Sequence, residues 1–403
     1  MRLLSGTVLS VGLALVSCGG DEFSAKGSGG SSGSGGSLGG GAGAGGSAGI
    51  IGGSAGAGGS TGGSGGASGS GGASGSGGAS GGGGSTGGSA GSGGAGGGSG
   101  GSTNCHTPSS AKPAPAGSEE VLAVTDDPQP EYPVVDATHV YWTTDTTLWR
   151  IDKAGTCLEQ LATGGTQLEG LVLDAGYAYV ADTSAGMARR VPIGGGTFQT
   201  VVSGQGPMQT VAVDATHIYW CRVGSGVARR PKDGSGSTQI IATGSPMNNC
   251  FAIAVDGTYV YAATRNGALA RALKQSNSPV TTLDSVTGTV TSDPVYIGLF
   301  GNRVYWTHWL NNPDSGGVRS VTTAGQNLVS ITEVHPEGFA TDGSSAYWTI
   351  PYSPGGAIRR GYAALTTAEN LVTNQLRPRG VAIDATHVYW TNFNDRTVRR
   401  ALR

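Results

Sequence analysis

The run Asp384-Ala385-Thr386-His387-Val388-Tyr389-Trp390-Thr391 decides the fold, because it comes back along the chain. Asp-Ala-Thr-His also stands at Asp136 and Asp214, and each copy leads into a short apolar stretch ending in tyrosine. Looser copies bring the tyrosines to seven: Tyr141, Tyr179, Tyr219, Tyr261, Tyr305, Tyr347 and Tyr389. Their spacings are 38, 40, 42, 44, 42 and 42 residues. In five the next residue is tryptophan: Trp142, Trp220, Trp306, Trp348 and Trp390. Clusters of Gly, Asp and Ser separate the apolar runs, the punctuation of short antiparallel strands.

A strand-rich unit of about 40 residues is one blade of a β-propeller. The third repeat reads strand by strand as Val211–Asp214, Ile218–Cys221, Gly226–Arg230 and Gln239–Ala242. Phe300 replaces the turn aspartate in the fifth repeat. The last repeat stops after its third strand, Thr397–Leu402, while Glu119–Val124 stands ahead of the first repeat and resembles an outer strand. The expected fold is therefore all-β, a seven-bladed propeller closed by its N-terminal strand, which leaves no open sheet edge. A tyrosine and tryptophan adjacent on a strand point to opposite sheet faces, so the repeated pairs are expected to pack between blades. The turn aspartates are expected to cap backbone N–H groups. His139, His217 and His387 belong to separate turns and make poor metal ligands. The arginine repeated on each third strand is expected to pair with neighbouring blades or with water.

The tetrads Val140-Tyr141-Trp142-Thr143, Val304-Tyr305-Trp306-Thr307, Ala346-Tyr347-Trp348-Thr349 and Val388-Tyr389-Trp390-Thr391 resemble the YWTD repeats of the LDL-receptor class. Pro378–Asp384 looks like a strand of an NHL repeat. The resemblance implies the propeller fold but names no ligand. It also departs from the family. The closing aspartate of the tetrad is kept at Asp182 and replaced by Thr144, Arg222, His308, Ile350 and Asn392. The family's usual blade number is six.

Ahead of the repeats the composition changes twice. Met1-Arg2 and the apolar stretch from Leu3 to Val16 form a secretory signal too short to span a bilayer. Leu15-Val16-Ser17-Cys18 resembles a bacterial lipobox, which implies cleavage after residue 17 and lipidation of Cys18. Residues 18–103 are then a lipidated cysteine and a tether: from Gly27 to Thr103 only Leu38, Ile50 and Ile51 interrupt Gly, Ser, Ala and Thr. Such a segment buries too little apolar surface to fold and reaches roughly 45–50 Å as a flexible chain. Residues 104–403 are the propeller. These features place the protein in the cell envelope, anchored by lipid, with the outer membrane favoured because Gly19 rather than aspartate follows Cys18. A net charge of −2 with only 12% charged residues and no basic block argues against nucleic acid.

Propeller ligands sit over the channel mouth, where loops enter the innermost strands. Five residues before each turn aspartate, that position reads Glu131, Glu169, Gln209, Phe251, Val295, Glu337 and Arg379. Glu337, Arg379, Glu131, Glu169 and Gln209 form one polar arc across the ring junction. Such an arc suits a divalent cation on oxygen donors, a cationic or sugar-like ligand, or a water-filled channel in which Arg379 neutralises its neighbours. Second-strand loops add His308 and Trp309, the latter outside the repeat pattern. The four remaining cysteines, exported from the cytoplasm, are expected to pair: Cys221 with Cys250 at adjacent blade ends, and Cys105 with Cys157. Three functions stay open. One is a module binding protein, peptide or glycan. Another is a metal-dependent propeller enzyme of the lactonase or streptogramin-lyase kind, with His308 as base. The third is a structural surface protein.

Overall fold

A computed structural model describes residues 105–106, 119–286, 296–309, 316–352 and 355–403. The signal, Cys18 and the glycine-rich tract lie outside the described residues, as does Val295. No helix among the described residues is long and apolar enough to cross a membrane.

Seven four-stranded antiparallel sheets succeed one another, each ordered from an inner to an outer strand. The innermost strands are Glu131–Val135, Leu168–Asp174, Val211–Val213, Cys250–Val255, Ile297–Phe300, Phe339–Thr341 and Pro378–Ile383, which define blades 1 to 7. The last blade is completed by Glu120–Val124, hydrogen-bonded to Thr397–Leu402. Ion pairs lock this seam: Arg399 to Glu119 and Arg400 to Glu120, both at 2.7 Å. Closure by the N-terminal strand therefore holds as the sequence suggests.

The repeated Tyr-Trp pairs are interior, and the clusters show how they work. Each blade's tyrosine enters the apolar cluster shared with the following blade. Each blade's tryptophan enters the cluster shared with the preceding one. Tyr389 of blade 7 and Trp142 of blade 1 meet in this way at the closure, together with Leu122 of the closing strand. Tyr305 meets Trp348 between blades 5 and 6, and Tyr347 meets Trp390 between blades 6 and 7. Where blades 2 and 4 lack tryptophan, Val180 and Ala262 take its place. The blade 3–4 seam, left with the small Ala262, holds Met247 and the disulfide Cys221–Cys250, whose Cα atoms are 5.4 Å apart. The second disulfide, Cys105–Cys157, ties the lead-in to blade 1.

The turn aspartates do more than cap. Asp214 Oδ1 accepts from the backbone N–H groups of Thr216 and His217, and Oδ2 accepts from the Tyr219 hydroxyl at 2.7 Å. Lys274 of blade 4 then reaches back to the same carboxylate at 2.6 Å. Lys153–Asp384, Lys232–Asp174 and Arg403–Asp342 repeat this link across other seams. The imidazoles of the turn histidines hydrogen-bond the adjacent threonine hydroxyl, as with His217 and Thr216. Third-strand arginines are likewise paired: Arg319 holds Asp284 of the preceding blade, and Arg359 holds Glu333.

Candidate functional site

The channel mouth is built by the first residues of the innermost strands. In blades 1, 2, 4 and 7 the pairing register slips there, between Glu131 and Val134, Glu169 and Val172, Cys250 and Ala252, and Pro378 and Val381. Bulges of this kind re-aim side chains at a barrel rim. Glycine follows the ring residue in blades 2, 6 and 7. At Gly338 an added Cβ would lie 2.6 Å from the Arg379 carbonyl oxygen, and at Gly380 it would lie 2.1 Å from Pro133. Adjacent strands therefore approach too closely here for any side chain.

Three members of the polar arc meet directly. The Arg379 guanidinium lies 2.9 Å from Glu337 and 3.1 Å from Glu131. Glu337 is fully buried, and neither of its carboxylate oxygens accepts a well-aligned hydrogen bond among the described residues. The charge of Arg379 is its compensation. Burial still pushes the Glu337 carboxyl up to about 7 against the pull of Arg379. Burial works against the Arg379 charge too, but Glu337 and Glu131 outweigh it and hold its pKa above the ordinary value. Glu169 is pushed up to about 7 by burial and by the charge of Glu131, with Gln167 donating to it at 2.7 Å. Gln209 turns instead toward Arg265 of blade 4, which lies over the Phe251 ring.

Across the mouth, Tyr132 stacks on Tyr296 with centroids 5.9 Å apart. Tyr296 is buried, and its hydroxyl has no hydrogen-bond partner among the described residues. Past this pair lies an apolar cavity of about 20 Å³, lined by Val134, Leu171, Val211, Ile253, Ile297 and Val381. That is room for about one water. The lining below the mouth is thus apolar, while the charged groups stand at the mouth.

No three His, Cys, Asp or Glu side chains among the described residues are placed to share a metal ion. Arg379 stands between two of the three carboxylates, so a divalent cation there would meet a fixed positive charge.

His308 does not join the arc. It is buried, close to Gly317, and burial with the charge of Arg319 holds its pKa down to about 4. Trp309 is half-buried and donates to the Pro336 carbonyl at 2.9 Å. It also begins a ladder that the sequence did not announce. Its ring meets His335 edge-on at 5.2 Å, and His335 meets Tyr352 at 6.1 Å and 89°. The Arg377 guanidinium lies 5.6 Å from the Tyr352 ring centre and 4.2 Å from that of Phe393. Phe393 in turn covers Arg379 at 5.5 Å. The ladder thus crosses the rim from blade 5 to blade 7 and ends on the buried ion pairs. Tyr352 is 53% exposed.

Some of the left-handed non-glycine residues fall on the same arc, and others, such as Ala175 and Asn327, lie in turns elsewhere. Gln129, His335 and Arg377 have φ of +64°, +48° and +60°. Each stands two residues before a ring position, in blades 1, 6 and 7. Left-handed conformations in non-glycine residues cost about 1–3 kcal/mol each and gather at functional sites. The loops differ in length and sequence, so a period of 40 residues could not reveal the ladder. Tyr132 did carry a signal: it occupies the slot that is glycine in blades 2, 6 and 7.

No known protein-family model matches this chain, and no curated protein is significantly similar to it. Solved structures are similar in fold. A catalytically inactive virginiamycin B lyase from Staphylococcus aureus, solved with quinupristin, shares 16% identity over 71% of this chain and 99% of its own, with a TM-score of 0.55. Hydrazine synthase from Kuenenia stuttgartiensis shares 14% over 70% and 97%, with a TM-score of 0.54. A nidogen/laminin complex shares 17% over 64% and 86%, with a TM-score of 0.41. The lyase and synthase likenesses agree on a β-propeller, and at these identities they show the fold alone.

Proposed function

We propose that this chain is an envelope lipoprotein that displays its propeller as an extracytoplasmic binding module. The ligand, a protein, peptide or glycan, sits on the rim of blades 5 to 7. One observation carries the reading: the ladder from Trp309 to Phe393 breaks the sevenfold repeat and leaves Tyr352 half in solvent. Elsewhere the repeated aromatics are spent on blade seams. Amphipathic rings grouped at a rim, beside charges desolvated in the mouth, suit recognition. The anchoring part of the proposal rests on Cys18 and the apolar segment before it.

The purified chain, probed against glycan and peptide arrays, should retain a ligand that Tyr352→Ala and Trp309→Ala weaken by about tenfold or more. Unchanged retention by both variants moves the site off the rim. Labelling with a radioactive fatty acid should be lost in Cys18→Ser; label that persists removes the anchor. The alternative is a metal-dependent lactonase- or lyase-like enzyme. Its support is the pair of carboxyls near neutrality, Glu169 and Glu337, since perturbed groups gather at active sites. A thermal shift with Ca²⁺, Mg²⁺ or Mn²⁺ that disappears in Glu169→Gln would favour it.

A further inference from the structure

The side chain that stands out on the rim is Arg377. Its Nε is buried without a hydrogen-bond acceptor, and no carboxylate among the described residues forms an ion pair with it. The other arginines of the same blade are engaged: Arg379 holds Glu131 and Glu337, Arg399 holds Glu119 and Asp395, and Arg400 holds Glu120. Arg377 is held by rings instead, with Phe393 at 4.2 Å and Tyr352 at 5.6 Å. Its backbone is strained, at φ +60°. Stacking on aromatic faces fixes the plane of a guanidinium while leaving its fork of donors unspent. With Nε buried, the two terminal Nη groups form the fork, which matches a carboxylate end-on and bidentately. Glu131 and Glu337 are near enough to feel the Arg377 charge, but the guanidinium in contact with them is that of Arg379.

The neighbouring groups narrow the class further. The exposed ring of Tyr352 lies beside Arg377, with His335 against its edge. A pyranose presents C–H groups on one face, which settle on an aromatic ring, and hydroxyls around its edge. A uronic acid adds a carboxylate at that edge, about one sugar's width from the ring face. Resting on the rim-binding reading above, we propose that the ligand is an acidic glycan, its sugar face on Tyr352 and its carboxylate on Arg377.

The test titrates the full chain with α-1,4-linked galacturonic acid oligomers and with neutral galactose oligomers of the same length. The acidic oligomer should bind about tenfold or more tightly than the neutral one, and the preference should shrink as salt rises. Arg377→Gln should abolish the preference while leaving weak binding of both sugars. Tyr352→Ala should weaken both alike. Arg377→Lys keeps the charge but not the fork, and should fall between; it also serves if Arg377→Gln does not fold. Equal binding of both oligomers, unchanged in Arg377→Gln, overturns the acidic-glycan assignment and leaves the rim as a binding surface. Binding of neither oligomer also overturns it. If an array ligand is found whose retention ignores Tyr352→Ala and Trp309→Ala, the rim reading falls with it.

Discussion

At the scale of single residues, Asp214 gathers two backbone N–H groups, a tyrosine hydroxyl and the ammonium of Lys274 on one carboxylate. These donors overcome burial and hold its pKa well below the ordinary value. A carboxyl depressed in this way stabilises the fold above its unfolded pKa of about 4, and that stability is lost only as pH falls further. Asp256 caps its turn and accepts from Tyr261 in the same manner, but no lysine reaches its side chain among the described residues. Asp214→Ala should therefore cost more than Asp256→Ala, by about 1–2 kcal/mol, measured by denaturant melts at pH 7. Equal costs would make the inter-blade lysine link idle. Glu169 works in the opposite sense. Its pKa of about 7 lies above the unfolded value, so between about pH 4.5 and 7 the folded state holds a proton that the unfolded chain has released. Its contribution to stability is thus largest in acid and fades as pH rises through 7. Glu169→Gln should gain melting temperature relative to wild type on going from pH 5 to pH 8, and parallel melts would refute this. The turn aspartates were legible in the sequence because each repeats with its threonine and histidine. Their inter-blade partners were not, because Lys153, Lys232, Lys274 and Arg403 follow third strands of unequal neighbours.

At the scale of elements, the blade seam is the unit of stability. The alternation of side chains along one strand sends tyrosine forward and tryptophan backward, so each second strand fastens two seams. Trp348 is fully buried between blades 5 and 6, and Trp348→Ala should cost about 3–5 kcal/mol. The seam between blades 3 and 4 has only Ala262 at the matching place, and the Cys221–Cys250 link compensates there. Replacing both cysteines by serine should cost about 3 kcal/mol, and reductant should lower the denaturation midpoint of wild type by more than that of the variant, which keeps only Cys105–Cys157. The Cys221–Cys250 pairing was legible because the repeat places the two strand ends side by side, and Cys105–Cys157 followed as the pair left over. The arc of ring residues was legible by counting back from each aspartate. That Arg379 meets its neighbours Glu131 and Glu337 was legible from their order around the ring; the stacked pair was not, since Tyr132 and Tyr296 enter from an irregular slot and from a blade without the aspartate.

At the scale of the whole molecule, one strand from the beginning of the described body shuts the ring. Deleting residues 105–126 should expose the edge of Thr397–Leu402, remove Leu122 from the seam of blades 7 and 1, and promote self-association. Light scattering that stays at the wild-type level would show that the closing strand is dispensable. The route of the chain into that strand has a mechanical consequence. Anything pulling from upstream reaches Cys105 before it reaches Glu120, and Cys105 is bolted to Cys157 in blade 1, with His106 hydrogen-bonded to Leu158 beside it. Tension is thus handed to blade 1 through a covalent bond, and the strand that latches the ring is bypassed. Under such a pull, the fastening most easily peeled away is the one that carries no load.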